Sequence, residues 1–158
     1  MPKQQAHVVP TIPASAGALV ADGRGRLLVL KPTYKSGWTL PGGEIEDTGE
    51  TPWEACRREV LEECGLVVTS GRLACVDVRP ARPGRRGGVR FLFDCGVLDD
   101  AVLAGVVVQR DEISRHRLVP VPEALDLLRK PVRRRVAAVL AATGFVYLED
   151  GRPVPEVR

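Results

Sequence analysis

Apolar residues in this chain come in short bursts, separated by glycines, prolines and charged residues. The runs ASAGALVA, over residues 14–21, and RLLVL, over residues 26–30, predict two buried strands. Asp22-Gly23-Arg24-Gly25 between them carries tight-turn residues, so the pair reads as a hairpin. Residues 31–43 form a loop rich in Pro and Gly that carries Trp38. Further strands are predicted over residues 66–69, 72–79 and 89–98. In the last, Val89, Phe91, Phe93, Cys95 and Val97 alternate with Arg90, Leu92 and Asp94. A loop of Pro, Gly and Arg, RPARPGRRGG, joins the final pair, and residues 102–109 read as another strand or a strand-edge loop.

Helical periodicity takes over in three places. Over residues 51–65, Thr51 suits an N-cap, Pro52 the first helical position and Gly65 the C-terminal cap. At ~100° per residue, Trp53, Cys56, Val60 and Cys64 fall in one stripe with Leu61 beside it, and Glu59, Glu62 and Glu63 share a neighbouring face. Residues 122–129 and 132–142 predict two more helices. The second places Val132, Val136, Val139 and Leu140 on one side and Arg133-Arg134-Arg135 on its solvated face. Strands and helices in this mixture make an α/β or α+β chain with a mixed sheet.

The length of 158 residues suits one domain, with a loose entry over residues 1–12, extended at 7–10, and a C-terminal tail over 145–158. Apolar residues at 44% and charged residues at 27% exclude a disordered or fibrous chain. Aromatics are only 4%, so Val, Leu and Ala must fill the core. Twenty-three basic against 20 acidic residues give net +3, too mild for a nucleic-acid coat or a membrane-surface protein. No apolar stretch follows Lys3 and no run approaches the ~18 residues of a membrane span, so a cytoplasmic protein is expected. Cys56, Cys64, Cys75 and Cys95 show no CxxC spacing and no His partner, which predicts reduced, buried thiols.

The segment GGEIEDTGETPWEACRREVLEECGL, from Gly42 to Leu66, carries the chemistry. Glu59, Glu62 and Glu63 crowd like charges within one turn, which opposes the helix by roughly 0.2–0.5 kcal/mol per pair. Hard divalent cations favour such sites, because Mg²⁺ takes carboxylates, waters and substrate phosphates as oxygen ligands. The same residues also suit a solvated acidic face softened by Arg57 and Arg58.

The surrounding pattern decides between these readings. Glu50, seven residues, and then Arg58-Glu59-Val60-Leu61-Glu62-Glu63-Cys64-Gly65-Leu66 resembles the signature of the Nudix hydrolases, G-x5-E-x7-R-E-U-x-E-E-x-G-U, where U is a bulky aliphatic residue. Trp38-Thr39-Leu40-Pro41-Gly42-Gly43 resembles the W-x-L-P-G-G lead-in of that family. Six residues, EIEDTG, separate Gly43 from Glu50 where the signature has five. This departure places an insertion around Asp47–Thr48 and bears on where the Gly43 carbonyl sits. Asp111-Glu112-Ile113 with Leu118-Val119-Pro120 resembles a late family segment, Leu118 replacing its aromatic residue. The similarity spans residues 14–142.

The resemblance implies an α/β fold, a Nudix-type α/β/α sandwich with a mixed central sheet. It implies Mg²⁺- or Mn²⁺-dependent hydrolysis of a pyrophosphate bond by water attack at phosphorus. The expected substrate is a nucleoside diphosphate linked to another group, such as a nucleoside triphosphate or an ADP-ribose-like molecule. Glu59, Glu62 and Glu63, with the Gly43 carbonyl, become the expected metal ligands, and Arg58 and Glu50 the residues that orient them. Glu112 resembles the late glutamate that is ligand or base in some members, with Asp111 as its rival. Arg79, Arg82, Arg85 and Arg86 are candidates to grip substrate phosphates, against a solvated mobile loop. Trp38 is a candidate to stack on a base, against burial in the lead-in loop. His7 and His116 have no partners and are assigned nothing. The expected partner is a small-molecule nucleotide, with no nucleic acid and no membrane; a homodimer is not readable. The alternative is a Nudix-fold module that senses a nucleotide without turnover, which the presence of all three glutamates disfavours.

Overall fold

The hairpin at the start of the chain is closed by its own turn residues. Asp22 accepts the backbone N–H groups of Arg24 and Arg26, at 3.0 and 2.8 Å, and the Arg26 guanidinium at 2.7 Å. These bonds turn β1 (Ala14–Ala21) into β2 (Leu27–Pro32). The computed structural model describes residues 8–157. The remaining elements are β3 (Gly42–Glu44), α1 (Pro52–Cys64), β4 (Arg72–Arg79), β5 (Gly88–Val97), α2 (Asp100–Ala104), β6 (Ile113–Val119), α3 (Val121–Leu127), α4 (Lys130–Ala141), β7 (Val146–Glu149) and β8 (Arg152–Pro153).

The strands form one mixed sheet in the order β6-β2-β1-β5-β4-β7-β8, and β3 pairs with β1. The β1–β5 and β4–β7 pairs are parallel and the others antiparallel. Alternation along the strands produces two apolar faces. Ala16, Ala18, Val20, Leu28, Leu30 and Phe93 pack beneath α1. Leu19, Leu27, Val29, Leu92 and Leu148 pack beneath α3 and α4. Each buried Val or Leu contributes roughly 1.5–3 kcal/mol, so two such layers compensate for the scarcity of aromatics. The architecture is the expected α/β/α sandwich.

α1 is fixed at both ends. Thr51 Oγ1 accepts the Glu54 N–H at 3.2 Å while the Glu54 carboxylate accepts the Thr51 N–H at 2.8 Å, a reciprocal cap. Gly65 ends the helix with φ 67° and donates its N–H to the Leu61 carbonyl. Its buried side is Cys56, Val60 and Cys64, and Leu61, beside that stripe, is 52% exposed. Thr51→Ala is expected to destabilise the protein by about 1 kcal/mol in chemical denaturation, and Thr51→Ser to restore most of it.

Several predicted elements are corrected. Residues 66–69 find no strand partner, although Leu66 and Val68 are buried. Residues 102–109 are not a strand: α2 ends at Ala104, and the N–H groups of Val107 and Gln109 bond the Cys64 and Glu63 carbonyls. The chain here satisfies the open end of α1 instead of joining the sheet. The expected tail contains β7, paired with β4, and β8. At the other end, residues 8–13 form no strand, and His7 lies outside the described residues. In α4, Val132, Val136 and Val139 are buried but Leu140 is 46% exposed. Arg135, expected on the solvated face, instead lies 3.1 Å from the buried Asp77. All four cysteines are buried free thiols. Among the described residues no helix is long and apolar enough to cross a membrane.

Candidate active site

Glycine at position 42 makes the site possible. Gly42 has φ 150°, and a Cβ there would meet the Ala16 carbonyl and the Gly17 Cα. Without a side chain it pairs tightly with β1, and its N–H reaches Glu63 Oε2 at 2.8 Å. Gly43 faces α1, where a Cβ would strike the Glu59 carboxylate. The residue inserted before Glu50 is taken up in the turn at residues 47–49, with Gly49 at φ 84°. It does not separate Gly43 from Glu59. Gly43→Ala should lower activity about tenfold or more, ~1.4 kcal/mol, with a smaller change in melting temperature, because the methyl displaces the Glu59 carboxylate.

Arg58 joins the acidic residues. Its Nε and Nη2 donate to Glu50 at 2.7 and 3.1 Å, and its Nη1 donates to Glu59 at 2.8 Å and Glu62 at 3.1 Å. Nη2 also donates to the Glu44 carbonyl at 3.0 Å, fastening the helix to β3. The Arg58 hydrogen bonds hold the Glu50 carboxyl below its usual range, and Glu50 in turn raises the guanidinium. A bidentate fork of this kind fixes both rotamers.

Burial varies sharply among the three helical glutamates. Glu63 is 4% exposed, and burial pushes its carboxyl up to about 8, with Glu59, Glu112 and Glu62 adding repulsion against the help of the Gly42 N–H. Burial also raises Glu59, although Arg58 opposes it. The Glu62 side chain is half exposed. Among the described residues no three Asp, Glu, His or Cys side chains converge tightly enough to enclose a metal ion; Arg58 holds Glu59 and Glu62 instead.

Other predicted site residues divide into two groups. Glu112 is exposed, and its charge acts on both Glu59 and Glu63; Asp111 is exposed beside it. The backbone holds this segment in place, because Thr33 donates to the Asp111 and Glu112 carbonyls while Gln109 donates to Glu63. Trp38, by contrast, packs on the α3–α4 side, bonded through its backbone to Leu127 and Arg129. Arg82 and Arg85 pair with Asp150, Arg79 lies at the end of β4, and Arg86 is exposed. The structure does not bring these arginines to the glutamates. Tyr34 was not singled out from the sequence, yet partial burial, Glu63 and Glu112 all raise its phenol. Its place in the loop before Trp38 carried no motif that could have marked it.

A mixed sheet between helices, with an arginine-linked carboxylate helix packed on a Gly-Gly strand, defines a Nudix-type protein. The NUDIX domain family model matches residues 11–140, and the chain belongs to this family. It is 31% identical over 153 residues to an RNA pyrophosphohydrolase of Halorhodospira halophila, covering 86% of this chain and 82% of the relative. A second RNA pyrophosphohydrolase, of Psychrobacter cryohalolentis, is 42% identical over 53 residues, covering 34% of this chain and 30% of the relative. Among solved structures, the MutT protein of Methanosarcina mazei Go1 superposes with TM-score 0.69 at 23% identity, over 84% of this chain and 96% of that one. The NUDIX domain of Shewanella oneidensis NrtR, complexed with ADP ribose, gives 0.67 at 15% identity, over 84% of this chain and 86% of its own. The family match and the pyrophosphohydrolase relatives together support a pyrophosphohydrolase, an enzyme acting on acid anhydrides.

Proposed function

We propose that the chain hydrolyses a pyrophosphate bond in a nucleotide, with Mg²⁺ or Mn²⁺ held by Glu59, Glu62, Glu63 and the Gly43 carbonyl. The observation that carries this reading is Glu63, a buried carboxylate beside two further glutamates on a helix packed against Gly42–Gly43. The donor set fits a hard divalent cation, since it is all oxygen, and the side of Gly43 facing Glu59 has no Cβ to block approach. Such a cation supplies charge neutralisation on phosphoryl oxygens and a more acidic bound water. Glu63 ties the helix to the Gly42–Gly43 strand, and Arg58, braced by Glu50, donates to both Glu59 and Glu62. Glu112, at the rim, is assigned the proton of the attacking water.

The substrate is a nucleoside diphosphate linked to another group. A nucleoside triphosphate and an ADP-ribose-like molecule both satisfy that chemistry. Similarity to RNA pyrophosphohydrolases adds RNA as a third class, beyond the small-molecule nucleotide expected from the sequence. A phosphate- and pyrophosphate-release screen across these three classes discriminates them. Turnover is expected with Mg²⁺ or Mn²⁺, loss of turnover in EDTA, and recovery on adding metal back. Undiminished turnover in EDTA would overturn the metal assignment. Metal should also raise the melting temperature, because it binds the folded cluster and not the dispersed unfolded glutamates.

A further inference from the structure

Beneath α4, on the face of the sheet opposite α1, lies a cavity of about 80 Å³. Registered pairing sets Glu44, Ser15, Arg90 and Asp77 in one row across β3, β1, β5 and β4. Directly paired residues share a face and successive residues alternate. Arg90 and Asp77 therefore point towards α4, as the Asp77–Arg135 ion pair requires, while Gly43 in the next row faces α1.

Five arginines line the cavity against two aspartates, and both aspartates are already engaged. Asp77 accepts the Gly151 N–H at 2.8 Å and lies 3.1 Å from Arg135 Nε. Asp150 meets Arg82 at 3.2 Å and Arg85 at 3.3 Å. Among the described residues, Arg79, Arg90 and Arg134 have no carboxylate within 4.0 Å. The Arg85 Nε is buried without a hydrogen bond, and the buried Arg135 Nε, though ion-paired with Asp77 at 3.1 Å, makes no well-directed hydrogen bond to it. Burial lowers the Arg90 and Arg135 guanidiniums, and neighbouring arginines add to the shift (Arg79 at Arg90, Arg90 and Arg129 at Arg135), with Asp77 opposing it at both and Glu44 at Arg90.

We propose that this cavity is a phosphoryl-anion site, with Arg85, Arg90, Arg134 and Arg135 as donors, distinct from the glutamate cluster of α1. Guanidinium forks match phosphate oxygens, and an anion would supply the acceptors these donors lack. The volume is far below the ~300 Å³ at which pockets for drug-sized ligands begin, so the cavity takes one phosphate group and not a nucleoside. Two strand spacings, roughly 10 Å, separate Glu44 beside Gly43 from Arg90. The phosphoryl group is accordingly either a remote phosphate of the substrate or a free phosphate ion. The first source rests on the function proposed above; the site itself does not.

The test titrates inorganic phosphate into the full chain in EDTA, read by calorimetry and by melting temperature, with chloride at equal ionic strength as control. Saturable binding of one phosphate per chain and a raised melting temperature are expected. Arg90→Gln combined with Arg134→Gln should weaken binding at least tenfold, yet without phosphate melt at or above the wild type, because two repelling cations are gone. Glu63→Gln should bind phosphate like the wild type. Absence of saturable binding, an equal effect of chloride, or unweakened binding by the folded double variant overturns the proposal. If the double variant does not fold, Arg134→Gln alone repeats the comparison under the same criteria. Phosphate that raises KM at constant kcat assigns the site to the substrate, and phosphate that alters turnover at saturating substrate assigns it to a free ion. Both kinetic outcomes support the site, and loss of the activity reading leaves the binding measurement intact.

Discussion

Glu62→Gln and Glu63→Gln are each expected to lower kcat by about two to four orders of magnitude, ~3–5 kcal/mol of transition-state stabilisation. Both changes preserve shape and remove charge. Gln at position 63 keeps an oxygen for the Gly42 N–H, so the 2.8 Å bond between helix and strand survives. What disappears is the anionic oxygen that would hold a cation against the phosphoryl group. The measurement is kcat per folded molecule, with circular dichroism and melting temperature checked on the same samples. Loss of fold with unchanged activity per folded molecule would show that these side chains serve the structure alone.

The ends of α1 were legible in the sequence because both caps are local. Thr51, Pro52 and Gly65 act on their own neighbours, and the helix begins and ends where they place it. The strands β1 and β4 were equally legible, since continuous apolar or alternating runs carry their own signature. β6 was not. Its sequence ISRHRLV, with Arg115, His116 and Arg117 at its centre, belongs to an edge strand whose exposure suppresses apolar alternation. Residues 102–109, readable as a strand or a strand-edge loop, were ambiguous for the opposite reason. Their valines resemble a strand, but their backbone is drawn to the open carbonyls of α1, a tertiary demand invisible in the local pattern.

The candidate site divides along the same line. The helical spacing of Glu59, Glu62 and Glu63 could be read directly, and so could Arg58 and Glu50 once the resemblance was recognised. The unequal burial of the glutamates could not, because it depends on how β3 and the Glu112 segment close over the helix. Nor could the partners of the basic residues. Arg82 and Arg85 were weighed for substrate phosphates, yet they meet Asp150 in a hairpin that the sequence presented as a tail. Arg135 reaches Asp77 from α4, fifty-eight positions along the chain, where helical spacing had suggested solvent.

Stability should respond to pH through Glu63, in a direction opposite to that of an ordinary paired acid. Burial raises the folded carboxyl from 4.5 to about 8, so between these values the folded chain holds a proton that the unfolded chain has released. The corresponding stability is fully present below pH ~4.5 and lost as pH rises through ~8. At 1.36 kcal/mol per unit, and allowing for sharing within the cluster, the loss is on the order of 3 kcal/mol. Glu63→Gln stays neutral throughout and lacks this component. In EDTA, urea denaturation should therefore give similar stabilities for wild type and variant near pH 4.5, and a more stable variant at pH 9. Parallel curves across that range would remove the basis for a strained, proton-holding Glu63. Saturating Mn²⁺ at pH 8 should then return stability to the wild type, because a cation takes the place of the lost proton, and should do far less for the variant, which offers one ligand charge fewer.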